Sequence, residues 1–262
     1  MKKKNKGPVS DARMAEYAEN WQRCRTEDIP GLFQGYDTEQ EQCERLVTFK
    51  MNKDALKAFQ STIKAGSDEL RFIVHLGLLH NDFPAKVPKK PAFQLFIQAL
   101  YGKKDWHKNC FPLEWDSNGK FSQGRDESTN NGAEAISAAS AYLFVHSWME
   151  TFTEDLALPF ESVSHDLDRR VKAYQFSNAE SKAIAADLGT PDASAKGLYI
   201  HLGRGLAVAR HPFSFRPVID VAGPQRANSA PEVFANATGL LDGDGDSFYD
   251  FGAPIPPGSP DD

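Results

Sequence analysis

Two histidines occupy matching places in the chain, and histidine is the side chain best suited to acid–base or metal chemistry near neutral pH. His75 and His201 both precede a Leu-Gly pair, in the apolar runs 70–77 and 198–203. If two halves of the chain pack around a twofold axis, the imidazoles would meet as metal ligands or as a general acid and base. The alternative is structural: strand alternation turns each histidine away from its apolar neighbours, towards a hydrogen bond with backbone.

Four aspartates near the end of the chain are spaced as the oxygen ligands of a calcium ion would be. They are Asp242, Asp244, Asp246 and Asp250. Calcium is bound by carboxylate and carbonyl oxygens at alternate positions of a short loop. Ala253 stands where such a loop places its bidentate glutamate. The spacing predicts a calcium-like site, with a solvated Asp/Gly turn as the alternative.

Prolines and lysines supply candidate surfaces for a partner. Pro254, Pro256 and Pro257 favour an extended polyproline conformation, which docks into a groove at low cost in conformational entropy. Lys89 and Lys90 lie between two predicted strands, in a basic and aromatic stretch suited to an anionic partner. A solvated loop is the alternative for the lysines.

Charge and cysteine content narrow the function classes. The 262 residues carry a formal charge of −6, which argues against a protein whose main partner is a nucleic-acid backbone. Three cysteines are too few for a disulfide framework, and we interpret them as buried thiols in a reducing compartment. The basic N-terminus is not followed by an apolar stretch, and no run of about 20 apolar residues occurs, so we expect a cytoplasmic protein that does not enter a membrane.

Motifs of the common enzyme classes are not found in the sequence. It has no nucleophile elbow, no Walker loop and no Gly-x-Gly-x-x-Gly fingerprint. His107 and Cys110 would need two further ligands to hold zinc. The adjacent carboxylates Glu27 and Asp28 recur later in the chain, which fits the end of a helix better than an acid–base pair.

The sequence pattern of the elements that carry these residues occurs twice in the chain. A shift of 127 positions gives six identities within residues 21–49: Trp21 with Trp148, Thr26-Glu27-Asp28 with Thr153-Glu154-Asp155, Phe33 with Phe160, and Phe49 with Phe176. Chance would supply about one or two, so a repeat is the better explanation.

Each copy has the pattern helix, strand, helix, strand, strand. Asn52 and Ser177 are natural N-caps of the second helix. The pattern predicts an α+β fold, as a tandem duplication of an α-β-α-β-β unit with mixed sheets and a pseudo-twofold axis. We expect a first unit at 1–115, a linker at 116–132, a second unit at 133–223 and a Pro/Asp/Gly-rich tail at 224–262. The copies would share one body or form two abutting lobes.

The pattern resembles a group of uncharacterised proteins of bacteroidete bacteria. Those proteins have an amphipathic first helix with an early Trp, here Trp21, and a strand that ends in a triplet such as His-Leu-Gly. Their tails carry Asp-aromatic-Gly and Pro-Pro, here at 250–252 and 256–257. Cysteines usually accompany those prolines, and this tail has none. The group has no known activity, so the resemblance implies no function.

The sequence therefore favours a non-enzymatic protein-binding or scaffold protein that engages a partner through its tail or the surface between the repeats. The rival hypothesis is an enzyme of unfamiliar type with a site between the repeats, formed by His75, His201 and nearby acids. The enzyme hypothesis requires the two imidazoles to lie within reach of a hydrogen bond or one bridging water.

Overall fold

The computed structural model describes residues 7–37, 42–64, 67–80, 91–102, 106–117, 136, 138–161, 170–189, 197–205, 213–222, 247–249 and 253–255. The α-helices of these ranges are α1 Asp11–Arg23, α2 Ile29–Leu32, α3 Lys53–Gln60, α4 Ala138–Met149 and α5 Asn178–Leu188. The β-strands are β1 Gln34–Asp37, β2 Gln42–Arg45, β3 Thr48–Lys50, β4 Leu70–Leu78, β5 Phe93–Tyr101, β6 Phe111–Trp115, β7 Ala173–Gln175, β8 Gly197–Arg204, β9 Phe215–Ala222, β10 Ser247–Tyr249 and β11 Ala253–Ile255. The 3₁₀ turns are Thr26–Asp28, Thr153–Asp155 and Leu158–Phe160.

Nine strands form one sheet in the order β10-β9-β8-β3-β6-β5-β4-β7-β11, and β1 pairs with β2 in a separate hairpin. Every strand pairing in the described residues is antiparallel. The α+β class is therefore confirmed, whereas the prediction of mixed sheets was wrong. It assumed that the strands on either side of the second helix are parallel neighbours, but β3 and β4 are not adjacent, and neither are β7 and β8.

The chain itself joins the two edges of the large sheet. Strand β10 forms one edge and β11 the other, and only three residues separate Tyr249 from Ala253. An extended chain spans at most about 3.5 Å per residue, so the edges lie within about 14 Å of each other there. The sheet therefore curls into a barrel in which the edge strands β10 and β11 approach each other.

The barrel interior holds the main core. Inward-facing side chains from seven of its strands belong to one apolar cluster, among them Phe49, Phe72, Leu95, Leu113, Tyr174, Ile200 and Ile219. Trp21 of α1, Phe59 of α3, Trp148 of α4 and Ile184 of α5 join the same cluster. Burial of this apolar surface is the main force that holds the fold.

Short strands are exchanged between the first half of the chain (residues 7–117) and the second half (136–255). Strand β3 pairs with β8 through Thr48 and His201, and β7 pairs with β4 through Ala173 and His75. Each half thus completes the sheet of the other. This exchange explains why the strands that flank the second helices are not neighbours.

Tryptophans anchor the first helix of each half in the opposite half. Trp21 Nε1 donates a hydrogen bond to the carbonyl of Val171 at 2.8 Å. Trp148 Nε1 donates one to the carbonyl of Leu46 at 2.9 Å. Both indoles are fully buried, so an indole N–H without its acceptor would be costly.

Two arginines repeat this reciprocal pattern. Arg170 donates to the carbonyl of Trp21 at 2.8 Å, and Arg45 donates to the carbonyl of Trp148 at 2.9 Å. Each also reaches the hydroxyl of the threonine that opens the following 3₁₀ turn, at 3.4 Å and 3.3 Å respectively. Planar guanidinium groups suit this role because they donate several hydrogen bonds in fixed directions.

The register of the predicted repeat changes within the short strands. Phe49 pairs with Ile200 in β8, and the residue that pairs with Val74 in β4 is Tyr174. Tyr174, and not Phe176, therefore takes the place of Phe49. The predicted shift of 127 positions applies to Trp21 and Trp148 but falls to 125 in β7, because the second half has two fewer residues before this strand.

Predicted helix caps are present in both halves. The Asn52 side chain accepts a hydrogen bond from Ala55 N at 2.9 Å. Ser177 forms a capping box with Glu180 at the start of α5. Gly189 ends α5 with a φ of 68°, which suits a residue without a Cβ. Helix α3 ends at Gln60, and Ile63 packs on the core from beyond that end.

Glycines in the His-Leu-Gly triplets allow helices to approach the barrel wall. Gly77 and Gly203 lie inside β4 and β8. A Cβ on Gly77 would come within 3.1 Å of Tyr17 Cβ, and one on Gly203 within 3.0 Å of Phe144 Cβ. Both contacts are closer than ordinary packing allows. The glycines are needed for helix packing.

Candidate functional site

The two candidate histidines lie far apart on the barrel. His75 is in β4 and His201 in β8, and β5, β6 and β3 separate them in the sheet. At about 4.8 Å per strand, this places them about 19 Å apart along the barrel wall. This separation argues against the alternative in which they meet at one site, because the strands that carry them lie on opposite sides of the barrel.

His201 belongs to a chain of three hydrogen-bonded side chains, which we call the His201 triad. Its Nε2 lies 2.9 Å from Asp220 Oδ2, and its Nδ1 lies 3.0 Å from Thr48 Oγ1. A carboxylate oxygen accepts, so Nε2 donates to Asp220. In the neutral ring Nδ1 then accepts the Thr48 hydroxyl proton. The three residues project from adjacent strands β9, β8 and β3.

The order hydroxyl, imidazole, carboxylate is the arrangement used for nucleophilic catalysis. A nucleophile must also be reachable by its substrate. Thr48, His201 and Asp220 each have at most 1% of their surface exposed. The triad is therefore a buried polar network in which hydrogen bonds compensate part of the cost of burying three polar groups.

His75 has a different environment on the opposite side of the barrel. Its Nε2 donates to Gln98 Oε1 at 2.8 Å, and Gln98 Nε2 donates to the carbonyl of Lys108 at 2.8 Å. Its ring packs against the Trp106 ring at 4.8 Å and the His107 ring at 5.3 Å. Burial, opposed by the Gln98 hydrogen bond and reinforced by the charge of His107, lowers the pKa of His75 to about 3. His75 is therefore neutral at physiological pH and unsuited to proton transfer there.

The Thr48 hydroxyl is expected to stabilise the fold through His201. Replacing Thr48 with valine keeps the shape of the side chain but leaves the buried Nδ1 of His201 without its donor, which should lower the free energy of unfolding by about 1 to 3 kcal/mol. Urea unfolding of the variant measures this loss. Thr48→Ser keeps the hydroxyl and should lose less, so equal losses in the two variants would contradict a role for the hydrogen bond.

An apolar surface lies at the end of α4 and the turns that follow it. We call it the α4 apolar surface, formed by Met149, Phe152 and Leu158, which are 51%, 70% and 53% exposed. All three fall within ten consecutive residues. Phe152 is the N-cap of the 3₁₀ turn Thr153–Asp155, and Leu158 begins the 3₁₀ turn Leu158–Phe160. Exposed apolar side chains are common singly, but a group of large ones marks an interaction site.

A cleft of about 180 Å³ opens beside the His75 side of the barrel. Its walls are formed by Asp68, Glu69, Arg71, Leu100, Gly102, Trp106 and Gln175. Trp106 lies between this cleft and His75, and Asp68 is paired with Lys182 at 2.6 Å. The cleft thus lies beside β4, β5 and β7, whereas the His201 triad lies on β9, β8 and β3.

Most other predicted site residues lie outside the described ranges: Asp242, Asp244, Asp246, Asp250, Pro256, Pro257, Lys89 and Lys90. The calcium-like site and the lysine stretch thus stay predictions. Pro254 lies in β11, where it pairs with Tyr174 of β7. This part of the tail is a strand of the barrel. Within the described residues, no three His, Cys, Asp or Glu side chains are grouped closely enough to hold a metal ion.

The cysteines differ from one another in exposure. Cys24 and Cys110 are buried as predicted, and burial raises the pKa of the Cys24 thiol to about 11 and raises that of Cys110 as well. Cys43 is exposed in the β1–β2 hairpin, so the prediction that all three are buried was wrong for this one. A hairpin outside the barrel offers little surface in which to bury a side chain.

Sequence reasoning missed Thr48, Asp220 and the α4 apolar surface. Asp220 had a visible signal, because it is a charged residue inside the apolar run Val218-Ile219-Asp220-Val221 and needs a buried partner. Thr48 had none beyond its place in a short strand. The apolar surface can be seen by comparing the two halves at positions where they differ instead of where they agree.

Comparisons with known proteins give no indication of the function of this chain. Helices long and apolar enough to span a membrane do not occur in the described part of the chain. The chain matches no protein-family model, no curated protein and no solved structure.

Proposed function

We propose that this protein is a non-enzymatic binding protein, built by tandem duplication, whose second half docks a partner protein on the α4 apolar surface. The observation that carries the proposal is the exposure of Met149, Phe152 and Leu158. Large apolar side chains that are exposed favour association because their burial removes apolar surface from water.

The reciprocal contacts between the halves support a duplication. Helix anchoring by Trp21 and Trp148, the arginine hydrogen bonds and the exchanged strands each occur once in either direction. A chance resemblance would not reproduce the same partner atoms in both directions. A duplicated unit in turn makes the two halves internal controls for one another.

The corresponding positions of the first half carry no large apolar side chain. At the shift of 127 positions, Gln22 stands for Met149, Arg25 for Phe152 and Gly31 for Leu158. The fully buried neighbours Trp21 and Trp148 are identical, whereas the buried Cys24 corresponds to the buried Thr151. The three large apolar side chains of the second half are exposed, where the core does not need them, and this supports binding.

The rival enzyme hypothesis has weaker support. His75 and His201 are about 19 Å apart along the barrel wall, and the hydroxyl–imidazole–carboxylate arrangement around His201 is buried. A formal charge of −6 also favours a protein partner over a nucleic acid.

Selection of random peptides displayed on phage, with the full chain as bait, tests the proposal. The wild-type protein should enrich a set of binders, and Phe152→Arg should weaken their binding by about thirtyfold or more, since a central aromatic contributes about 2 kcal/mol or more to an interface. Leu143→Arg is the matched control, because Leu143 is 62% exposed on the face of α4 opposite its buried residues. Equal enrichment by wild type and Phe152→Arg would contradict the proposal.

A further inference from the structure

Each half has a pair of carboxylates in a 3₁₀ turn, and the second-half pair follows Phe152 of the α4 apolar surface. The two pairs differ in whether a cation binds them. The sequence Thr-Glu-Asp forms a 3₁₀ turn in each half, at Thr26–Asp28 and at Thr153–Asp155. In the first half Arg25, which precedes the turn, lies 2.7 Å from Asp28 and 3.4 Å from Glu27. The first-half carboxylates therefore bind a guanidinium group.

Phe152 stands in the place of that arginine in the second half. Glu154 and Asp155 keep the positions of Glu27 and Asp28, with Glu154 exposed and Asp155 half-buried. Across the residues that the structure describes, neither carboxylate has a cation within ion-pair distance. The substitution thus removed a cation and added an exposed ring at the same point.

The geometry of the turn keeps the ring and the carboxylates adjacent. Side chains three residues apart eclipse in a 3₁₀ turn, and the bidentate contact between Arg25 and Asp28 shows that these two positions touch. Phe152 and Asp155 have the same spacing. A partner that packs on the Phe152 ring therefore has its flanking atoms beside Asp155 and Glu154.

We propose that the partner is a protein segment that places an arginine or lysine directly beside an apolar side chain. The apolar side chain packs on Phe152, Met149 and Leu158, while the cation occupies the place that Arg25 takes in the first half. An arginine suits it best because its planar guanidinium group binds a carboxylate through two hydrogen bonds. This inference rests on the proposed function and adds the charge of the partner.

Three synthetic peptides with one apolar pattern and different flanking residues test the inference. They carry arginine, glutamine or glutamate beside the apolar residue, and fluorescence anisotropy measures their binding to the full chain at low salt. The arginine peptide should bind about three- to tenfold more tightly than the glutamine peptide, and the glutamate peptide most weakly. Added salt should shrink these differences, because it screens exposed charges.

Paired variants separate the charge from the apolar contact. Glu154→Gln with Asp155→Asn should bring the arginine and glutamine peptides to equal affinity. The matched control is Glu27→Gln with Asp28→Asn in the first half, which should leave the preference for arginine unchanged. Loss of the preference in both double variants would overturn the inference.

Other outcomes separate this inference from the proposed function. If the arginine and glutamine peptides bind the wild type equally, and Phe152→Arg abolishes both, the charge inference fails while the docking proposal stands. If no peptide shows binding that depends on Phe152, both fail. Sedimentation of the protein alone decides a further case: a dimer that Phe152→Arg dissociates would overturn the inference, since a second copy would then be the occupant.

Discussion

Replacing Trp148 with alanine is expected to lower the free energy of unfolding by about 3 to 5 kcal/mol, the usual cost of removing a large aromatic side chain from a core. The indole is fully buried and packs at ring distances of 5.0 Å from Phe33, 5.8 Å from Phe160 and 5.9 Å from Phe215. Phe33 belongs to the first half, so the substitution opens a cavity where the halves meet. Urea unfolding followed by circular dichroism measures the loss.

Trp148→Phe separates the hydrogen bond from the packing. It keeps an aromatic ring but leaves the buried carbonyl of Leu46 without the indole donor, which should cost about 1 to 3 kcal/mol. Trp21→Ala is the matched substitution in the first half. Because the contacts of Trp21 mirror those of Trp148, we expect a similar loss, and a loss near zero for either tryptophan would contradict the reciprocal anchoring.

The helices and the long strands could be predicted because their signals are local. The apolar spacing of α1 and α4, the caps Asn52 and Ser177, and the runs that became β4 and β8 depend on residues close in sequence. The helical positions of Trp21 in α1 and Trp148 in α4 could be predicted for the same reason. Each of these features can be read within one stretch of chain.

Strand pairing could not be predicted because it depends on distant parts of the chain. Thr48 lies opposite His201, and nothing around Thr48 in sequence indicates this partner. Strand β3 has only three residues, too few for a clear alternation, and the hairpin β1–β2 was missed for the same reason. The alternative of a shared histidine site loses support for the same reason, since exchanged strands place matched residues on opposite sides of the barrel.

The residues of the α4 apolar surface could be found by aligning the two halves of the sequence, but their exposure is known only from the structure. The shift of 127 positions already aligned Arg25 with Phe152 and Glu27-Asp28 with Glu154-Asp155. The identical residues indicate a shared turn, but they do not indicate the meaning of the difference between Arg25 and Phe152. Exposure decides the meaning of that replacement, because a buried phenylalanine would belong to the core, whereas Phe152 is 70% exposed.

Stability is expected to fall as the pH drops below about 6.5, because His75 is buried in its neutral form. Burial lowers the pKa of His75 to about 3 in the folded protein, from 6.5 in an exposed chain. Between these values the unfolded chain binds a proton that the folded protein does not, so acid favours unfolding. Each pH unit in this window costs up to about 1.4 kcal/mol, which gives a loss of about 2 kcal/mol between pH 7 and pH 5.

His75→Gln isolates this contribution, because a glutamine can still donate a hydrogen bond to Gln98 and does not titrate. The variant should lose the part of the pH dependence that His75 causes, so its free energy of unfolding should approach that of the wild type as the pH falls towards 5. Urea unfolding of both proteins at about pH 7.5, 6 and 5 measures the difference, and replacement of the exposed His146 controls for the loss of one histidine. Parallel pH profiles for wild type and His75→Gln would mean that His75 takes up its proton without unfolding. Since the carboxylates of the protein titrate in both chains, their contribution cancels in the comparison, and the difference reports on the one histidine that the barrel wall, Trp106 and His107 enclose.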